Sequence, residues 1–162
     1  MASATHTAAD PRRTIALRQL ALEITVPDSA TLGSSPPGGT INASLGTVTV
    51  TDARTGTPAT WVATVSARDF TTGGGSAAET VTRSNVAYWS GPATDSSGGG
   101  THTPGQNTAA ERVALSSSST AFSGQKSELS NQSTSWQPTL VITPPTSIVA
   151  GTYTGVITHS VT

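Results

Sequence analysis

The chain has no cysteine, so no disulfide framework, thiolate-ligated metal or thiol redox centre can be built from it. Charge is almost as scarce, with 10% charged residues and a formal net charge of -1. The seven arginines are scattered, and their only adjacent pair, Arg12-Arg13, sits near the N-terminus. Without a basic patch there is no electrostatic footprint for nucleic acid or for an anionic membrane surface. Long apolar runs are missing too. None approaches the roughly 18 residues that a membrane-spanning helix needs, so membrane insertion through a helix is not expected. Aromatic residues make up only 4% of the chain.

Serine and threonine supply about a third of the 162 residues. Disorder usually accompanies high net charge and few β-branched residues. Here the net charge is close to zero and Val, Ile and Thr are frequent, which favours strands. Residues 1–13 read as a flexible polar arm and residues 14–162 as a single domain. The start, Met1 to Asp10, has the small-residue character of an export cleavage region without the apolar stretch that precedes one. It reads as a mature secreted or cell-surface chain with an added or mis-called Met1.

Period-two alternation recurs along the domain. Leu20, Leu22, Ile24 and Val26 alternate with smaller or polar residues, closed by Pro27. Residues 13–22 also allow a short helix. Leu45-Gly46-Thr47-Val48-Thr49-Val50-Thr51-Asp52 alternates valine with threonine. Trp61, Ala63, Val65 and Ala67 fall on one face of the next strand. A short strand is predicted around residues 86–89 and weaker ones at 111–115 and 120–122. Residues 136–143 form another, with Pro138 demoting its early part to an edge or bulge. The last strand carries Tyr153, Ile157, His159 and Val161 on one face. The Gly/Ser/Thr-rich stretch 91–106 reads as a long flexible loop. Many short strands between Gly/Pro turns predict an all-β fold, an antiparallel β-sandwich of the Ig-like or Greek-key kind, with a closed barrel as second choice.

Three stretches together resemble the WxL-type surface-domain proteins in their actinobacterial, Gram-positive version. They are the segment from Leu45 to Asp52, the segment Trp61-Val62-Ala63-Thr64-Val65-Ser66-Ala67-Arg68-Asp69-Phe70-Thr71, and Trp136-Gln137-Pro138-Thr139-Leu140 with the C-terminal run from Ala150 to Val161. The literal Trp-x-Leu triplet is absent: the tryptophans stand in Trp61-Val62-Ala63, Trp89-Ser90-Gly91 and Trp136-Gln137-Pro138. The resemblance implies an exported β-sandwich, without catalysis, that associates non-covalently with the cell wall, its partners being cell-wall glycan or other surface proteins.

No motif carries an enzymatic reading. His6 and His102 fall in the arm and the loop, and His159 on a terminal strand reads as a core residue. No Gly-x-Ser-x-Gly elbow is present. Asp52 and Asp69 end strands and read as caps or as partners of Arg54 and Arg68 rather than as a paired-acid site. Asp95 stands alone in its loop, too few ligands for calcium. Neither a metal nor a cofactor is expected. The aromatic residues are the better candidates: Tyr88, Trp89, Trp61, Trp136 and Tyr153 would stack on sugar rings or form a protein-binding hot spot. The competing reading of Trp61 and Trp136 is that they anchor the core. The alternative function is a homopolymer, a structural subunit of a fibre or surface layer. It would assemble by adding an N-terminal strand, including Leu20, Leu22 and Ile24, to a neighbour's open sheet edge.

Overall fold

The computed structural model describes residues 2–8, as backbone, and residues 22–162. In chain order the strands are β1 (Ala2–Ala8), β2 (Leu22–Thr25), β3 (Ala30–Thr31), β4 (Ile41–Ser44), β5 (Val48–Asp52), β6 (Ala59–Ala67), β7 (Phe70–Thr71) and β8 (Thr80–Val81). They continue as β9 (Val86–Trp89), β10 (Ala93–Ser97), β11 (Gly100–Pro104), β12 (Val113–Ala114), β13 (Ser119–Lys126), β14 (Gln132–Trp136), β15 (Thr139–Ile142) and β16 (Tyr153–Val161). Three single 3₁₀ turns are the only helical pieces among the described residues.

The strands form an all-β sandwich of three sheets. An 8-stranded sheet runs β11-β13-β6-β16-β1-β3, with β7 and β8 extending from β16. Two 4-stranded sheets run β10-β14-β5-β2 and β12-β9-β15-β4. Pairing is antiparallel except between β1 and β16, which run parallel from Ala2↔Tyr153 to Ala8↔His159. Residues 2–8 fall within the segment expected as an arm, and the helix-or-strand segment 13–21 lies outside the described residues.

Period-two alternation builds these layers. On β6 the side chains of Trp61, Ala63, Val65 and Ala67 are buried while Val62 faces water. On β5 Val48, Val50 and Asp52 are buried and the threonines between them half-buried. On β16 the buried positions are Tyr153, Gly155, Ile157 and His159. Threonine on the outward positions supplies hydroxyls to solvent and β-branching to the strand, which is how so uncharged a chain covers its core.

The chain changes sheet at two places that the alternation alone does not locate. Residues 136–143 do not make one strand. The break at Gln137-Pro138 sends β14 into one small sheet and β15 into the other, because Pro138 has no N–H for a continuous ladder. Residues 91–106 are not a long loop. They form β10, paired with β14, and β11, paired with β13, so this stretch steps from a small sheet to the large one. Its glycines are corner residues: a Cβ on Gly100 would lie 1.7 Å from the Gln125 carbonyl oxygen, and its φ is +123°.

β13 also runs further than its apolar residues suggest. A register shift between Thr120 and Phe122 leaves Ala121 unpaired, and both Ala121 and Phe122 turn inward. Two residues after Phe122, Gly124 makes room for a large neighbour: a Cβ there would lie 2.4 Å from the Trp61 ring. Gly124→Ala is therefore expected to lower unfolding free energy by about 1–3 kcal/mol through overpacking. Gly56→Ala, where a Cβ meets nothing within 4 Å, should change it by less than about 0.5 kcal/mol. Urea titrations of the two variants check this.

Candidate functional site

The aromatic candidates are brought together, but inside the protein. Trp61, Trp136 and Tyr88 are at most 1% exposed and Tyr153 is 7% exposed. Trp61 on β6 stacks on Phe122 of β13, with ring centres 6.4 Å apart. Phe122 stacks on Trp136 of β14 at 4.8 Å. His159 of β16 meets Trp136 edge-on at 6.5 Å and Tyr88 of β9 at 5.6 Å. The column thus touches all three sheets.

Both tryptophan ring nitrogens and the Tyr88 hydroxyl have partners inside the core. The Trp136 Nε1–H donates to the Tyr88 hydroxyl at 3.1 Å, and that hydroxyl lies 3.1 Å from His159 Nε2. The Trp61 Nε1–H donates to Gln132 Oε1 at 2.8 Å, and Gln132 Nε2 donates to the carbonyls of Gly99 and Gln125. Burial pushes the Tyr88 phenol far above its ordinary range, partly offset by the Trp136 donor, so it stays neutral. Rings without exposed surface cannot stack on a sugar. Of the five aromatic candidates only Trp89 keeps partial exposure: it points to the opposite face of β9 from Tyr88.

Of the assembly candidates, Leu22 and Ile24 lie half-buried on β2, the edge strand of its sheet. Leu20 lies outside the described residues. Asp52 and Asp69 serve separate partners. Asp69 Oδ1 accepts from the Arg83 backbone N–H at 2.8 Å, while Asp52 accepts from Arg54. Among the described residues no three His, Asp or Glu side chains gather into a cation site.

Two features go beyond the sequence reading. The first is the burial of the ionic group whose pairing, Asp52 with Arg54, is one of the expectations. Asp52 is fully buried because its strand position is in phase with Val48 and Val50. The Arg54 guanidinium holds both its oxygens, Nε to Oδ1 at 3.0 Å and Nη2 to Oδ2 at 2.8 Å. Lys126, also fully buried, donates to the Arg54 carbonyl oxygen. The second is an apolar cleft of about 300 Å³ among the loops at the Tyr153 end of β16. Ile41, Phe70, Ile142 and Ile148 wall it, and Pro36-Pro37 and Pro144 form part of its rim. The paired prolines were the one sequence signal of a rigid rim.

Comparison with protein-family models, with curated proteins and with solved structures gives no match.

The Asp52 pair has a pH signature. The Arg54 hydrogen bonds outweigh desolvation and hold the Asp52 carboxyl below its ordinary value. Its contribution is therefore complete above the unfolded-state aspartate value of about 3.9 and is lost as pH falls through the lower folded value. Arg54→Met should destabilise the protein at neutral pH by about 2 kcal/mol. That is less than for a fully enclosed pair, because the arginine is one-third exposed. Asp52→Asn should show a flatter loss of stability than the wild type below about pH 4. Urea unfolding at a series of pH values measures both.

Proposed function

We propose that the protein is a non-catalytic, secreted surface protein that works as a structural subunit, joining copies through its N-terminal strand. The observation that carries this reading is the placement of β1. Its backbone lies between β16 and β3, and it covers the side of β16 that β6 and β7 leave open. An uncovered strand edge presents a row of free N–H and C=O groups that a strand from another chain can pair with.

Chain length supports exchange of that strand. Thirteen residues separate β1 from β2. At about 3.5 Å per residue they reach roughly 45 Å at full extension, against a radius of gyration of about 15 Å for a domain of this size. The same strand can therefore fill its own β16 edge or that of a neighbour. The low surface charge suits lateral packing, since little like-charge repulsion opposes it. As a cell-wall-associated module, the second reading, the protein would offer wall glycan or a partner protein the half-exposed Trp89 rather than the buried rings.

Intact protein is expected to form concentration-dependent oligomers in size-exclusion chromatography with light scattering. A chain lacking residues 1–8 should stay monomeric and should bind a synthetic peptide of residues 1–13. An intact protein that is monomeric at millimolar concentration would remove the assembly reading.

A further inference from the structure

The register of β1 on β16 bears on which strands the β16 edge can accept. The two run parallel, and residues 2, 4, 6 and 8 stand in register with the buried positions Tyr153, Gly155, Ile157 and His159. Residues 3, 5 and 7 stand in register with Thr154, Val156 and Thr158, which are exposed or half-buried. The sequence of β1 alternates in the same phase: Ala2, Ala4, His6 and Ala8 at the first set of levels, Ser3, Thr5 and Thr7 at the second. Because a strand has a period of two, a slip of one residue would bring Ser3, Thr5 and Thr7 to the buried levels.

A slip of two residues keeps the phase, and it is opposed by size. At the level of residue 4, the Phe70 ring of β7 covers Gly155: a Cβ on Gly155 would lie 2.6 Å from it. On the other side of β1, β3 brings Ala30 to the same level. That level suits a small residue. At the level of residue 8, the buried His159 ring already packs at 5.6 Å from Tyr88 and 6.5 Å from Trp136. His6 is the largest residue of β1, and the observed register sets it at the Ile157 level, between those two. A shift of two residues would set it beside Gly155 in one direction and beside His159 in the other.

We propose that the β16 edge selects an incoming strand by its residue pattern, small at the Tyr153, Gly155 and His159 levels and larger at the Ile157 level, and that residues 2–8 of a second copy of this chain are the strand it takes. This rests on the assembly reading above and adds the register and the positions that set it. Main-chain hydrogen bonds along an edge give affinity to any extended strand, while the alternate side-chain levels give the selection. Position 4 is the most specificity-determining of them, because a branched side chain introduced there would overpack the level that Phe70 and Gly155 fill.

Peptides of residues 1–13, added to the intact protein and equilibrated, test this with oligomer mass read by light scattering. The wild-type peptide is expected to dissolve the oligomers, and the Thr5→Leu peptide to do so at a concentration within about threefold of it. The Ala4→Leu peptide should need at least about tenfold more. So should a peptide carrying both Ala4→His and His6→Ala, which keeps the composition and changes only the pattern. Equal potency of all four peptides would overturn the selection while leaving assembly itself standing, and so would a wild-type peptide without effect on the oligomers. Intact protein that forms no oligomers gives a different result: it removes the assembly reading, and the proposed selection with it.

Discussion

The structure depends on Trp136. Three separate sheets must close on one core, and hydrophobic burial alone has no direction. The indole of Trp136 supplies direction. One face stacks on Phe122 of the large sheet, its edge meets His159 of the same sheet, and its N–H reaches the Tyr88 hydroxyl of the third. Each large ring buries about 150–250 Å², so a few aromatic residues serve where a chain richer in them would use many. The scarcity of aromatic residues and the burial of all of them but Trp89 are two aspects of one arrangement.

Polar groups follow the same geometry. Strict alternation carries Asp52, Gln132, Thr134 and Lys126 inward because their neighbours two residues away are core residues. Buried polar atoms without partners are costly, and each of these residues is answered: Asp52 by Arg54, Gln132 by Trp61 and two carbonyls, Thr134 by His102 Nδ1, and Lys126 by the Arg54 carbonyl. The outer faces are left to threonine and serine. The surface therefore carries few charges, and β1 covers the edge of β16 with little repulsion to oppose it.

The strands with clean alternation were legible in the sequence. The inward face of β6 and of β16 falls on the residues the pattern picks out, and β9 has the expected limits. What escaped was decided by distant contacts. Gly98-Gly99-Gly100 has the composition of a flexible loop, yet Gly100 is demanded by the Gln125 carbonyl pressed against it. The end of β13, Gly124-Gln125-Lys126, resembles a turn because its glycine exists to admit Trp61 from the next strand. Trp61 and Trp136 drew two readings, and only the stacking of rings from separate sheets places them in the core. Beyond its paired prolines the cleft could not be read, since its wall joins residues 34–37, 41, 70, 81, 142, 144, 148–151 and 153, which loop ties bring together.

The most direct measurement of Trp136 as the join between sheets is a double-mutant cycle with Trp136→Phe and Tyr88→Phe, followed by urea unfolding. If the indole-to-phenol contact holds two sheets together, the two changes are non-additive by about 1 kcal/mol. If their effects simply add, to within about 0.3 kcal/mol, the rings fill space side by side and the join lies elsewhere.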